Sequence, residues 1–121
     1  MLLNTQNALP TDFTQGDNVV LSLIATDDFG NPVNLTGGTL STMILGANGV
    51  GPVTFPNSQH TLGNQSTNPG TFTLTLAATD SANCGEGANK QIITTFTSSG
   101  GLITNFRGVN LLTVYPPNPA Q

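Results

Sequence analysis

Apolar and polar residues alternate along much of this chain with a period of two, the spacing of a strand that buries one face. The clearest case is Thr71–Leu76, where Phe72, Leu74 and Leu76 fall on one side and Thr71, Thr73 and Thr75 on the other. Val19, Leu21, Leu23 and Ala25 alternate with Val20, Ser22, Ile24 and Thr26, a strand that starts apolar on both faces. Leu40, Thr42 and Ile44 alternate with Met43 and Leu45, and Ile92 and Phe96 oppose Ile93 within Gln91–Thr97. Leu102–Phe106 and Val109–Val114 read as two further strands, and Val33–Leu35 as a short one closed by Gly37 and Gly38. The predicted core is Val19, Leu21, Leu23, Leu35, Ile44, Phe72, Leu74, Leu76, Ile92, Phe96, Leu112 and Val114.

Turn chemistry separates these runs. Asp27-Asp28-Phe29-Gly30-Asn31-Pro32 carries Asp side chains that accept bonds from turn amides, residues that tolerate positive φ, and a proline at its exit. Ser98-Ser99-Gly100-Gly101 reads as a hairpin turn. Residues 46–70 form the least regular stretch, with Val53 and Phe55 as a brief strand inside it. A connection of that length without structure tends to be functional or mobile. Residues 77–89 are small and polar and accommodate one helical turn, and nothing predicts a helix beyond two turns. The division expected is an N-terminal arm or edge strand over 1–12, a sandwich domain over 13–115 and an extended proline-rich tail over 116–121. Short strands at this spacing, with no crossover helix, predict an all-β antiparallel sandwich of seven to eight strands.

Charge narrows the functions open to such a domain. Asp, Glu, Lys and Arg make up 7% of the 121 residues, against about 25% in an ordinary soluble domain. Lys and Arg together number two, so the clustered cations that displace counterions from nucleic acid, or that seek an anionic membrane, are missing. The single cysteine, Cys84, allows no intrachain disulfide. MLLNTQNALP has no basic segment ahead of its apolar start, so no signal peptide is expected, and the chain reads as made in the cytoplasm.

Four segments in order carry a resemblance. They are Phe13-Thr14-Gln15-Gly16-Asp17, Asp28-Phe29-Gly30-Asn31-Pro32-Val33-Asn34-Leu35-Thr36-Gly37, Gly70-Thr71-Phe72-Thr73-Leu74 and Arg107-Gly108-Val109-Asn110-Leu111. Over residues 13–115 the chain resembles the immunoglobulin-like N-terminal domain of phage baseplate upper proteins and related small virion modules of tailed phages. The resemblance implies an immunoglobulin-like antiparallel β-sandwich in a tailed-phage particle.

Candidate chemistry is sparse. His60 is the sole histidine, so any Ser-His-Asp or Cys-His arrangement would have to use it, and no acidic residue lies near it in sequence. A solvated loop histidine is the expectation. Asp27, Asp28 and Asn31 offer oxygens of the kind Ca²⁺ takes, but an Asx-type turn accounts for them as well. Cys84 reads as a small core filler without a partner base. Arg107 is expected to pair with Asp17 or Asp28. Asn34-Leu35-Thr36 and Asn64-Gln65-Ser66 match a glycosylation sequon that the absence of a secretory signal makes incidental. No catalytic, cofactor or metal residue is assigned.

The function expected from all this is non-enzymatic: a bacteriophage virion structural protein, as a capsid decoration or cement subunit or a tail or baseplate adaptor. It would assemble with other virion proteins of the capsid, tail or baseplate and as a homo-oligomer or in many copies, without nucleic acid or membrane, using its ends and the 46–70 loop as contacts. The physical ground is a surface with few charges to desolvate on burial. The alternative is a carbohydrate-binding or adhesive sandwich, for which the chain offers no Trp and a single Tyr, Tyr115, to stack sugars.

Overall fold

The computed structural model describes residues 1–117. Nine strands form among the described residues: β1 (Leu2–Thr5), β2 (Thr11–Thr14), β3 (Val19–Thr26), β4 (Thr39–Leu45), β5 (Val53–Phe55), β6 (His60–Leu62), β7 (Thr71–Leu76), β8 (Gly87–Thr97) and β9 (Ile103–Tyr115). The one α-helix among the described residues, α1 (Ala78–Asn83), is six residues long. It is started by the Asp80 carboxylate, which accepts the Ala77 N–H at 3.0 Å, and is followed closely by Gly85 and Gly87.

Hydrogen bonding runs through the order β5-β4-β8-β9-β1-β3-β7-β6, with β2 paired beside β9. The link between β9 and β1 is a single parallel pair, Leu2 with Arg107. That narrow join divides the strands into two layers, β1-β3-β7-β6 and β2-β9-β8-β4-β5. Leu23, Phe72 and Leu74 of the first layer and Ile44, Ile92 and Phe106 of the second belong to one core cluster. The protein is an immunoglobulin-like β-sandwich. Nine strands, rather than seven to eight, arise because the first layer gains β6 and both layers begin with a short strand from residues 1–14. The pairings of β9 with β1 and with β2 are parallel, unlike the antiparallel remainder.

The alternation read from the sequence positions the core. All twelve predicted residues are in it: eleven are buried and Val19 packs against them. Leu3 and Phe13 are buried too; residues 1–12 hold β1 and the first two residues of β2, and the 12/13 boundary falls inside β2. The tail expected at 116–121 lies outside the described residues from Asn118 onward.

Three elements differ from expectation. The two strands expected over 102–114 are one long strand, Ile103–Tyr115, bent at Asn110, which takes φ +57°. At the bend β9 exchanges β1 for β2 as its neighbour, because one straight strand cannot follow both. Val33–Leu35 form no strand; Pro32 bridges back to Thr26, and Leu35 turns into the core, fully buried. The 46–70 stretch is not a free loop: it holds β5, a 3₁₀ turn at Asn57–Gln59, and β6 paired with β7.

Leu74 sits fully buried at the middle of β7, so Leu74→Ala should cost about 2–5 kcal/mol in urea unfolding. A loss under about 0.5 kcal/mol, the size of an ordinary surface change, would contradict this packing.

Candidate functional site

Strand register puts three connections at one end of the sandwich. Leu2 pairs with both Thr26 and Arg107, so the chain beyond Thr26 and the part of β9 before Arg107 extend past the same level. The connections are 27–38, 63–70 and 98–102. An amide side chain braces the first two. Gln65 Oε1 accepts the N–H groups of Leu35 at 3.0 Å and Gly70 at 2.8 Å, while its Nε2 donates to the Gly63 and Thr71 carbonyls at 3.0 and 2.9 Å. Gly70 makes this possible. It takes φ +82°, and a Cβ there would lie 2.5 Å from the Ala25 carbonyl. The third connection comes near the first at Gly37, where a Cβ would lie 4.0 Å from Ser99 Cβ.

This braced end exposes large apolar side chains. Phe29 is 90% exposed at the tip of 27–31, and Leu102 and Ile103 are 76% and 67% exposed at the β8–β9 hairpin. The hairpin also leaves backbone unpaired. On the side away from β8, β9 meets β1 at Arg107 and β2 from Leu112, so Ile103–Phe106 has no strand neighbour there among the described residues. Natural sheet edges are guarded by Lys, Pro or a covering element. Residues 97–106 contain no charge and no proline.

His60 is placed otherwise than expected. It lies on β6, half-buried, with its ring 6.0 Å from that of Phe72. Its Nδ1 lies 2.9 Å from the Pro56 carbonyl, which only accepts, so Nδ1 carries the proton. Nε2 then accepts the Thr42 hydroxyl at 2.6 Å, and Thr42 Oγ1 accepts from Thr94 at 2.9 Å. The chain His60–Thr42–Thr94 runs from the first layer into the second with every bond directed. Burial, the largest influence, pulls the His60 pKa below its ordinary value. The arrangement is a neutral interlayer tie, and the Thr42 hydroxyl it engages is fully buried.

The remaining expected residues resolve as follows. Asp27 closes an Asx turn: its Oδ1 accepts the N–H groups of Phe29 and Asn31, both at 2.9 Å. The Asn31 amide bond is the main reason its carboxyl lies below the usual range. Asp28 faces the N-terminal ammonium at 2.6 Å. The oxygens weighed for Ca²⁺ are thus directed at donors within the turn and at the chain's own amine. Arg107 pairs with neither Asp17 nor Asp28; its Nε donates to Gln91 Oε1 at 2.9 Å, because β8 is its ladder partner and Gln91 lies next to it there. Cys84 is sealed in the core, and burial raises its thiol to about 11. Among the described residues no group of three or more His, Cys, Asp and Glu gathers. Sequence reasoning missed Gln65, whose only sign was its place between turn formers in Gly63–Gly70, and it missed Lys90, described below.

No protein-family model matches this chain, and no curated protein does. Among solved structures it is similar to the crystal structure of CopC from Methylosinus trichosporium OB3b. The identity is 17%, 97% of this chain and 95% of that chain are covered, and the TM-score is 0.43. The expectation of a bacteriophage decoration, cement, tail or baseplate subunit is corrected here: the similar structure is that of CopC.

Two outcomes follow from the buried groups. The unfolded chain takes up a proton at the ordinary imidazole value of 6.5, before the folded His60 does. The contribution of His60 to stability is therefore complete above that value and falls as pH drops below it, towards the lower folded pKa. The urea midpoint should decline over that window, and His60→Gln should flatten the decline. Cys84 should resist a thiol reagent at about pH 8 until denaturant opens the core.

Proposed function

We propose that this protein is a non-enzymatic interaction module that engages a second copy of itself through the β8–β9 hairpin. The observation that carries this reading is the open edge at Ile103–Phe106, flanked by the exposed Leu102 and Ile103 and guarded by no charge or proline. Two such edges related by a twofold axis pair antiparallel, each strand meeting the same residues of the other. The pairing would satisfy the free main-chain groups and cover the apolar tips together.

Charge supports a like partner. Each chain carries a net charge of −4, which opposes association in general. The hairpin contributes none of it, and the nearest carboxylates at the same end are engaged: Asp27 in its turn and Asp28 with the N-terminus. The Gln65 brace keeps the neighbouring loops in one conformation, so little ordering is left to offset on binding.

Sedimentation velocity over a range of protein concentrations tests the proposal. The wild-type chain should shift from monomer to dimer, with little dependence on salt because no ion pair forms at the edge. Leu102→Lys with Ile103→Lys should leave only monomer while the far-UV spectrum is unchanged. A wild-type chain that stays monomeric at about 1 mM, where association is worth only about 4 kcal/mol, would defeat the reading.

A further inference from the structure

At the opposite end of the sandwich a lysine is buried with no partner among the described residues. Lys90 is the chain's sole lysine, and it is 5% exposed. It makes no hydrogen bond and no ion pair among the described residues. No buried side-chain nitrogen there is cut off from both partner and solvent, so the Lys90 ammonium keeps an outlet. That outlet is a groove of about 450 Å³ that the lysine lines, between Gly46–Gly51 and Gly85–Ala88.

The lysine is held there by backbone irregularity. An ordinary strand would alternate, yet Lys90, Gln91 and Ile92 are buried in succession. The ladder to β9 slips between Gly87 and Lys90 and again between Lys90 and Ile92, and Asn89 takes φ +58°. A bulge of this kind re-aims side chains. Here it sends Lys90 towards the groove while Gln91 fixes one wall of it, donating to the Gly46 and Ala47 carbonyls at 3.3 and 2.9 Å. The opposite wall comes as close as Gly85, where a Cβ would lie 3.7 Å from Lys90 Nζ.

We propose that this groove binds a compact oxyanion, a carboxylate or a phosphate, with Lys90 as its charged donor. A buried cation is costly unless paired, and an anion in the groove supplies the missing charge in a setting where the attraction is only weakly screened by salt. Lysine serves such anions as a point charge. The glycines of both walls allow the anion to approach the main chain closely. Glu86, exposed on the rim, is the one carboxylate in the lining and opposes binding. This site is independent of the self-association edge, which lies at the other end of β8.

The test uses the whole protein, isotopically labelled, titrated with sodium phosphate and separately with sodium acetate, sodium chloride holding the ionic strength constant. A single lysine Cε resonance identifies Lys90 without ambiguity. It should move saturably with phosphate, acetate or both, the responding salt naming the oxyanion, together with the amides of Gly51 and Gly85. Lys90→Met, close in length and apolar, should weaken the amide response at least about tenfold, the effect expected for losing a charged hydrogen bond. Glu86→Gln should strengthen it. If neither anion moves the wild-type lysine resonance beyond what chloride does, the proposal fails, whether or not Lys90→Met folds. Equal affinity in a folded Lys90→Met protein would overturn it as well.

Discussion

Neutral amide side chains carry the connections of this protein. A glutamine holds two donors and an acceptor on a short arm, enough to fasten one backbone segment to another without placing a charge in the fold. Gln65 joins the 27–38 and 63–70 connections, and Gln91 holds the 46–51 turn. Gln6 reaches the Leu23 and Phe72 carbonyls, Gln15 the Cys84 carbonyl, and Gln59 the Thr75 carbonyl and Asp80. One ion pair, between the N-terminus and Asp28, is found among the described residues. Loops in a sandwich are the segments with the fewest ladder bonds, and here each end is held by one of these amides.

The two ends put the same device to different uses. At the 27–38 end the bracing leaves apolar tips and an open strand edge, features that suit a flat, uncharged contact. At the 46–51 end the amide belongs to a bulge that also sets a lysine beside a groove. Charge is scarce enough in this chain that where it is buried matters more than how much there is. The interlayer tie from His60 through Thr42 to Thr94 follows the same preference for neutral groups, since its direction depends on an unprotonated ring nitrogen.

Periodicity made the long strands legible. Thr71–Leu76 and Val19–Thr26 pair as neighbours along six register positions, and their inward faces were readable from alternation alone. The short elements were hidden. His60–Leu62 is three residues, too few to show a period, and it forms only because β7 offers an edge. Phe106 and Leu111 are buried on a strand whose bend at Asn110 resets the alternation, so the sequence reads as two strands. Lys90 escaped notice for a related reason: a bulge buries three residues running, and only the ladder's slip shows that the middle of a polar segment points inward. Gln91 met Arg107 across that ladder, a partnership set by register rather than by charge.

The parallel pairing of β2 with β9 has a mechanical consequence. Thr11 through Thr14 lie beside Leu112 through Tyr115 in register, both strands running the same way. Force that drags Thr11 and Tyr115 apart along the strand axis acts along the whole ladder together, so its rungs must give way together. An antiparallel hairpin pulled at its open end parts one rung at a time, under far less load. The short strand β2 is thereby a latch that such tension must shear before residues 11–14 can leave their layer.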